Sequence, residues 1–351
     1  MPTLAELELK RATSVEQAVA WLAADPHARL HAGGTDLLPN LRRGIERAPV
    51  LIDLGAVHGL SDIALTESGL ALGACVTLAR LAGDPTIAAQ FPAIAEAARA
   101  VAGPALRSSA TLGGNLCLDT RCVFFNQSEW WRAANHHCLK RPPGGAHAAA
   151  PRGGLGSPAE PDLPRLDGTV CHVAPQGQHC HAAFSGDLAP ALLVLGAEVD
   201  LVSARGSRRI ALAELYREDG AAHLTLAHDE ILTTVRVPAA RPDQRSGYRK
   251  ARTRAAMDFP LAGVACALTL HGGVLAELRV AITGTSSNPF LLAGCDPYTG
   301  RRIDAELLVQ LGKLVQKQVK PMRSTATPSN YRRLAAAALA QRLLRELAAG
   351  A

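Results

Sequence analysis

Apolar positions recur along this chain with two periods, and the changes between them predict three folded units. Ser14-Val-Glu-Gln17 has the spacing of a capping box and predicts a helix running to about Ala24. Arg29 to His31 predicts a short strand, Leu37 to Arg43 a helix and Val50 to Leu54 a second strand. These make a small α/β unit over residues 1–58. Residues 59–211 form the second unit. Short strands at Ile63 to Leu65 and Leu70 to Leu72 precede an alanine-rich helix at Ala93 to Val101, and a helix–strand pattern resumes at Ser185 to Val202. The third unit, 212–351, has strands predicted at Ile231 to Val237, Tyr248 to Arg252, Val264 to Leu270 and Val274 to Ile282. His271-Gly272-Gly273 supplies a hairpin turn between the last two. Ala305 to Val319 and Asn330 to Ala348 read as amphipathic helices. No internal repeat is visible.

Residues 120–183 break this order. Four of the eight cysteines, Cys122, Cys138, Cys171 and Cys180, fall in that segment. Pro142 to Gly168 is rich in Pro, Gly and Ala without periodicity and is expected to be a flexible loop. Structureless loops this long are uncommon unless functional or disordered. Clustered cysteines suggest an inorganic group. Met1 to Lys10 does not read as a signal peptide, and no apolar run is long enough to span a bilayer. The apolar stretch Leu188 to Val202 is broken by Pro190, Glu198 and Asp200, which predicts a buried element. The expectation is a cytoplasmic protein with no membrane partner, where clustered cysteines favour metal over disulfide. The net charge of +6 draws on Arg323, Arg332, Arg333 and Arg342. Aromatic residues make up only 4%, which argues against stacking platforms for nucleic acid. The basic residues read as a solvated surface or as a docking face for an acidic electron carrier.

Two Gly-Gly turns carry the other candidate chemistry. In Ala32-Gly33-Gly34-Thr35-Asp36, the backbone of Gly33, Gly34 and Thr35 can approach a diphosphate closely and offer it N–H groups. Asp36 is unsuited to an anion's neighbourhood and is expected to N-cap the helix beginning at Leu37. Gly113, Gly114 and Asn115 suggest a second backbone clamp, with side-chain hydrogen bonds from Thr111 and Asn115. Neither turn is a G-x-G-x-x-G or P-loop motif, so a dinucleotide-binding fold of that type and an ATPase are disfavoured.

The cysteine chemistry stays open between three readings. A [4Fe–4S] cubane takes four thiolates and tolerates unequal spacing. Structural zinc usually shows tight Cys-x₂₋₄-Cys knuckles, absent among these four. Unligated thiols are the third reading. Cys117 and Cys122 have a plant-type [2Fe–2S] spacing, without the further close cysteine such a site needs. Cys75, Cys266 and Cys295 read as free thiols. His136, His137, His172, His179 and His181 are expected to hydrogen-bond or lie exposed rather than ligate. Trp130 and Trp131 are expected to pack the segment onto the body.

His31-Ala-Gly-Gly-Thr-Asp-Leu37 and Ala110-Thr-Leu-Gly-Gly-Asn-Leu-Cys117 together resemble the paired FAD loops of the flavin subunits of molybdenum hydroxylases, a family that includes xanthine dehydrogenase and carbon monoxide dehydrogenase. Phe184 to Leu192 resembles the family's Ser-Asp-Leu segment, Lys250 to Asp258 its third flavin-contacting strand, and Tyr331-Arg-Arg the start of its last helix. The resemblance implies an α+β fold. A two-subdomain FAD-binding domain of the PCMH type, with an iron–sulfur insertion, would precede an α+β C-terminal domain of the CO dehydrogenase flavoprotein type. The flavin would lie between the first two units. The implied FAD contacts are Ala32, Gly33, Gly34, Thr35, Asp36, Leu37, Thr111, Gly113, Gly114 and Asn115, then Asp119, Asp187, Leu188 and Lys250. Cys117 would lie near the flavin.

Within the family, Leu116 to Gln127, Trp130-Trp-Arg132, His137 to Lys140, and Gly168 to Val173 with Cys180 resemble the insertion of 4-hydroxybenzoyl-CoA reductase β subunits, which holds a [4Fe–4S] cluster. The extra Pro/Gly/Ala stretch between Cys138 and Cys171 departs from that pattern. The resemblance implies Cys122, Cys138, Cys171 and Cys180 as ligands. It implies an electron-transfer subunit with no catalytic residue of its own, in an α₂β₂γ₂-type complex that removes the phenolic hydroxyl of 4-hydroxybenzoyl-CoA. Reduced ferredoxin would supply electrons, which would pass through the cluster and FAD to a [2Fe–2S] small subunit and a molybdopterin-binding large subunit. Two alternatives remain. One is the FAD subunit of an oxidative molybdenum hydroxylase, passing electrons out to NAD⁺ or another acceptor. The other is a zinc-stapled scaffold without flavin, against which the paired glycine loops argue.

Overall fold

The structure is a computed structural model that describes residues 7–140, 168–254 and 257–350. Most of the expected flexible stretch from Pro142 to Gly168 lies outside the described residues. The fold is the expected α+β arrangement, built on three sheets.

The first sheet is parallel, with β1 (Glu8–Arg11), β2 (Arg29–His31) and β3 (Val50–Asp53) in the order β1-β3-β2. The helix Val15–Ala24 buries Ala18, Val19 and Leu22 in the same core as Ile52. Its start follows the expected capping pattern with one shift. The Ser14 hydroxyl accepts from the Gln17 N–H at 3.2 Å, while Gln17 Oε1 accepts from the N–H of Thr13, not of Ser14, at 2.8 Å.

The second sheet is antiparallel. It holds β4 (Ile63–Thr66), β5 (Gly69–Gly73), β6 (Glu198–Ser203), β7 (Gly206–Ala211) and β8 (Ile231–Pro238), in the order β4-β5-β8-β6-β7. The sequence placed the Ile231 strand in the third unit, and the structure corrects this. Val235 of β8 pairs with Leu72 on one side and Val199 on the other, at the centre of the second sheet. Alternation identifies a strand and its buried face, but not its partners. The helices Leu78–Gly83, Pro92–Ala100 and Leu188–Val194 share the core with this sheet. Every residue of Leu188–Val194 is buried, as its unbroken apolar run predicts. Pro190 falls in its first turn, where a missing N–H costs no helical bond.

The third sheet has the order β12-β11-β10-β9, from β9 (Gln244–Ala251), β10 (Ala262–His271), β11 (Val274–Thr283) and β12 (Phe290–Leu291). Gly272 and Gly273 both have positive φ, 58° and 77°, as a type I′ hairpin turn requires. The helices Ala305–Gln318 and Ser329–Ala349 pack apolar faces into the core of this sheet. Arg332 is not part of a basic surface. It is 0% exposed, and its guanidinium donates to the carbonyls of Leu261, Met322 and Gly284. Burial pushes it down to about 10. Among the described residues no helix is long and apolar enough to cross a membrane.

Candidate cofactor site

The first glycine loop joins β2 to the helix Leu37–Arg42, with Ala32 packed on the N-terminal core. A Cβ on Gly33 would overlap the carbonyl oxygen of Ser109, so this loop lies directly on the residues leading into the second. Gly34 has φ +66°, and a Cβ there would come within 2.6 Å of His31 Nε2 and 2.9 Å of Leu38 Cδ1. Both positions therefore need glycine for packing and conformation alone. The N–H groups of Gly33, Gly34 and Thr35 donate to no acceptor among the described residues. That leaves a row of half-buried donors at the mouth of the loop, the feature a diphosphate needs.

Asp36 does not cap the helix after it. Its backbone is already helical, at φ −110° and ψ −47°, whereas a capping side chain needs an extended backbone. Instead Asp36 Oδ2 accepts from Asn40 Nδ2 at 3.1 Å, and the carboxylate pairs with Arg121. Arg121 lies 4.9 Å from the centre of the Phe259 ring, and burial pushes it down to about 10.

The second loop is built differently. Thr111 caps the short helix Leu112–Leu116, its hydroxyl accepting from Gly114 N–H at 3.2 Å. Gly113 N–H donates to Ala74 O at 2.7 Å and Asn115 N–H to Thr111 O at 2.9 Å. The expected second backbone clamp is therefore not free: all three N–H groups already have protein acceptors. Nor is the Asn115 side chain wholly available, since its Oδ1 accepts from Leu188 N–H at 3.0 Å. Gly113 is needed for packing, because a Cβ would come within 2.9 Å of Ala74 Cβ. A Cβ on Gly114 would meet only Thr111 Oγ1, at 2.9 Å.

That bond from Asn115 brings the Ser-Gly-Asp-Leu segment to the second loop. The neighbouring Asp187 forms a buried cluster with β9. Its Oδ1 accepts from Tyr248 Oη at 2.5 Å, and Lys250 Nζ lies 3.1 Å away while also donating to Ala100 O at 3.0 Å. Burial pushes the Asp187 carboxyl up, opposed by Lys250 and Tyr248, and pushes Lys250 down, opposed by Asp187. Cys117 follows the loop, packed against the second-sheet core, and desolvation pushes its thiol up to about 12.

The four cysteines of the inserted segment meet. Cys122, Cys138, Cys171 and Cys180 line one small pocket with Phe124, Phe125, Val173 and Lys140 among its walls. Local structure aims each thiol. Cys122 opens a turn in which its N–H donates to Asn126 Oδ1 at 2.9 Å. The helix Glu129–Ala134, capped by Ser128, ends in two left-handed residues, His136 (φ 58°) and His137 (φ 53°), which reverse the chain into Cys138. Leu139 N–H donates to Val170 O at 3.2 Å and joins the second and third cysteine segments. Asp219 Oδ1 accepts from Cys180 N–H at 3.2 Å, and Ala182 N–H points at Cys180 Sγ at 3.4 Å. Burial pushes the thiols of Cys122 and Cys180 up, that of Cys180 to about 12, with the Lys140 charge pulling the latter back. Cys117, Cys75, Cys266 and Cys295 are not in this pocket, and none of the eight cysteines is in a disulfide. Among the described residues no three His, Cys, Asp or Glu side chains converge tightly enough to hold a single metal ion.

Arg132 anchors the segment to the body, donating from within the fold to Gln127 O at 2.8 Å and to Gly44 O at 2.7 Å. Trp130 does not do so, being 79% exposed, while Trp131 is half-buried. His172 Nε2 bonds His137 O at 2.6 Å, a supporting role of the kind expected for these histidines. Asp119 is held by Lys140, whose Nζ lies 2.8 Å from Oδ1. Nearby His223 is buried against Phe184 with Nε2 unpartnered among the described residues; burial, with the Lys140 charge, pushes it down to about 4, so it is neutral at pH 7. Arg121, Lys140 and Arg132 escaped sequence reasoning. Their signal is position: all three lie in the stretches that carry the resemblance, Arg121 just before Cys122, Arg132 after the Trp pair and Lys140 two residues beyond Cys138, but nothing there gives them a role.

Comparison with known proteins matches residues 5–240 to the FAD binding domain in molybdopterin dehydrogenase and residues 246–347 to the CO dehydrogenase flavoprotein C-terminal domain. The aldehyde oxidoreductase FAD-binding subunit PaoB of Escherichia coli K12 is 31% identical over 77% of this chain and 79% of its own length. The carbon monoxide dehydrogenase medium chain of Afipia carboxidovorans is 24% identical over 92% of this chain and 90% of its own. In the solved structure of reconstituted CO dehydrogenase from Oligotropha carboxidovorans, a chain 22% identical superposes over the full length of both with a TM-score of 0.76.

Proposed function

The chain belongs to the molybdenum hydroxylase family as an FAD-binding oxidoreductase subunit, and from that premise we propose that it carries two redox groups, FAD and a [4Fe–4S] cluster, within a complex that also has a molybdopterin-binding large subunit and a [2Fe–2S] small subunit. The family likeness supports the flavin. The cluster rests on one observation, the convergence of four thiols spread over the inserted segment, from Cys122 to Cys180, on one largely apolar pocket. Bound together, the two groups let one-electron and two-electron traffic meet.

The rest is the work of this chain's own residues. Gly33, Gly34 and Thr35 present unpaired N–H groups to the diphosphate. Thr111 keeps its hydroxyl hydrogen, and Asn115 its amide N–H groups, for the remainder of the cofactor. Asp187 and Lys250 neutralise one another, and Asn115 holds the Leu188 backbone against the second loop. Ala32, Asp36 and Leu37 shape the first loop rather than donate to it. Asp119 reaches the site through Lys140. Cys122, Cys138, Cys171 and Cys180 hold the irons, Phe124, Phe125 and Val173 exclude water, and the Ala182 N–H draws charge from one sulfur.

For the reaction we infer reductive removal of the hydroxyl of 4-hydroxybenzoyl-CoA, with ferredoxin as donor in the cytoplasm. The support is the cysteine pattern. The oxidative alternative is favoured by the names of relatives, which include a nicotine 6-hydroxylase medium subunit and carbon monoxide dehydrogenase medium chains. Four thiols lining a shared pocket, without the tight Cys-x₂₋₄-Cys knuckles usual for structural zinc, are what supports a cubane over a zinc staple.

Anaerobic purification of the complex tests both cofactors. The expected result is one flavin with about four iron and four sulfide per chain. Zinc in place of iron, or flavin without iron, would overturn the cluster, and absence of flavin would overturn the loop assignment. Cys171→Ser should lose most of the iron and keep the flavin. Assaying 4-hydroxybenzoyl-CoA with a reduced low-potential donor, against NAD⁺-dependent oxidation of aromatic substrates, decides the direction.

A further inference from the structure

Among the described residues, Lys140 is the only lysine or arginine that lines the cysteine pocket. Its side chain is 5% exposed, and its ammonium lies 5.0 Å from the centre of the Phe125 ring. All three protons have acceptors: Asp119 Oδ1 at 2.8 Å, Thr120 Oγ1 at 2.5 Å and Gly220 O at 2.8 Å. Placing a full charge in a fold interior costs several kcal/mol, a cost that poorly explains the residue as mere filling for an apolar wall. Asp119 offsets that charge incompletely, because its carboxylate is 30% exposed and shared with solvent. A fixed, nearly dry cation on a residue that lines the four-cysteine pocket, with its charge felt by the Cys180 thiol, is what a buried polyanion requires.

We propose that Lys140 sets the reduction potential of the iron–sulfur centre, with Asp119 as the counterweight that limits its effect; the inference rests on the cluster reading above. Four thiolates around a cubane leave a net negative charge that grows by one when an electron arrives. The electron comes from the complex's donor, or from dithionite in vitro, and no bond or proton changes at Lys140. A neighbouring positive charge stabilises the more negative form and raises the potential. The pair also has a defined place in the chain. Asp119 and Thr120 continue from the second glycine loop and precede Cys122, so two of the ammonium's three acceptors are side chains on the stretch that joins the two candidate cofactor regions.

The test is an EPR-monitored redox titration of the cluster in the anaerobic complex, with iron and flavin contents measured alongside. Lys140→Met should shift the one-electron equilibrium at least tenfold against reduction, 59 mV to more negative potential. Asp119→Asn, which strips the counterweight and leaves the ammonium, should shift it the other way. Lys140→Arg should restore a value close to wild type. An iron-replete Lys140→Met with unchanged potential overturns the proposal. So do shifts of the same sign in Lys140→Met and Asp119→Asn, which would mark a packing role. Should Lys140→Met fail to assemble, the sign of the Asp119→Asn shift decides, and a negative or absent shift overturns the proposal. Wild-type complex without iron would instead remove the cluster reading itself, and that is read before any variant is made.

Discussion

The two Gly-Gly turns look alike in sequence and do opposite work. In the first, the N–H groups of Gly33, Gly34 and Thr35 are unpaired among the described residues, and the glycines permit a left-handed turn pressed against Ser109. In the second, Gly113 and Gly114 spend their N–H groups on Ala74 and Thr111, and glycine is needed because β5 ends against it. One loop is a donor row and the other a packing joint. A shared dipeptide therefore says that backbone must come close to something, and the hydrogen-bond count says whether that something is ligand or protein.

Substitutions should separate these roles. Gly33→Ala is expected to do most damage, because its methyl meets backbone that cannot swing away. Loss of flavin together with a fall of several kcal/mol in stability, read by flavin fluorescence and denaturant unfolding, is the expected outcome. Gly34→Ala should cost about 1–2 kcal/mol from its left-handed conformation and weaken flavin binding in parallel. Gly113→Ala should lower the unfolding midpoint by a comparable amount yet leave flavin affinity in the refolded protein nearly unchanged. If it releases flavin as readily as Gly34→Ala does, the contrast between the loops fails. Thr111→Val should cost about 1 kcal/mol as a lost helix cap, visible in thermal unfolding.

Much of this molecule was legible in its pattern. The helix at Val15, the hairpin at Gly272–Gly273 and the last two helices lie where periodicity put them. Local signals suffice there, since each element's apolar face and turn residues are contiguous. What stayed hidden depends on partners distant in sequence. The Ile231 strand alternates as any half-buried strand does, and only pairing with Leu72 and Val199 gives it a sheet. Arg332 reads as surface because composition cannot reveal three carbonyls waiting for it. Asp36 reads as a cap because the sequence shows its position but not its backbone angles. At the site, the cysteines were recognisable by type and clustering. Lys140 and Arg121 were not, because a buried ion is defined by the acceptors around it.

The Asp36–Arg121 pair has a consequence for how the protein matures. One end belongs to the loop offered to the nucleotide, and the other is bonded through the chain to Cys122. A single guanidinium thus ties the first glycine loop to the segment that carries the four cysteines. On the proposed cofactor assignment, a nucleotide seated on that loop would hold this link, and with it the backbone leading into Cys122, in place. Reconstitution of the emptied protein should accordingly load iron faster when FAD is supplied first than when it is added last.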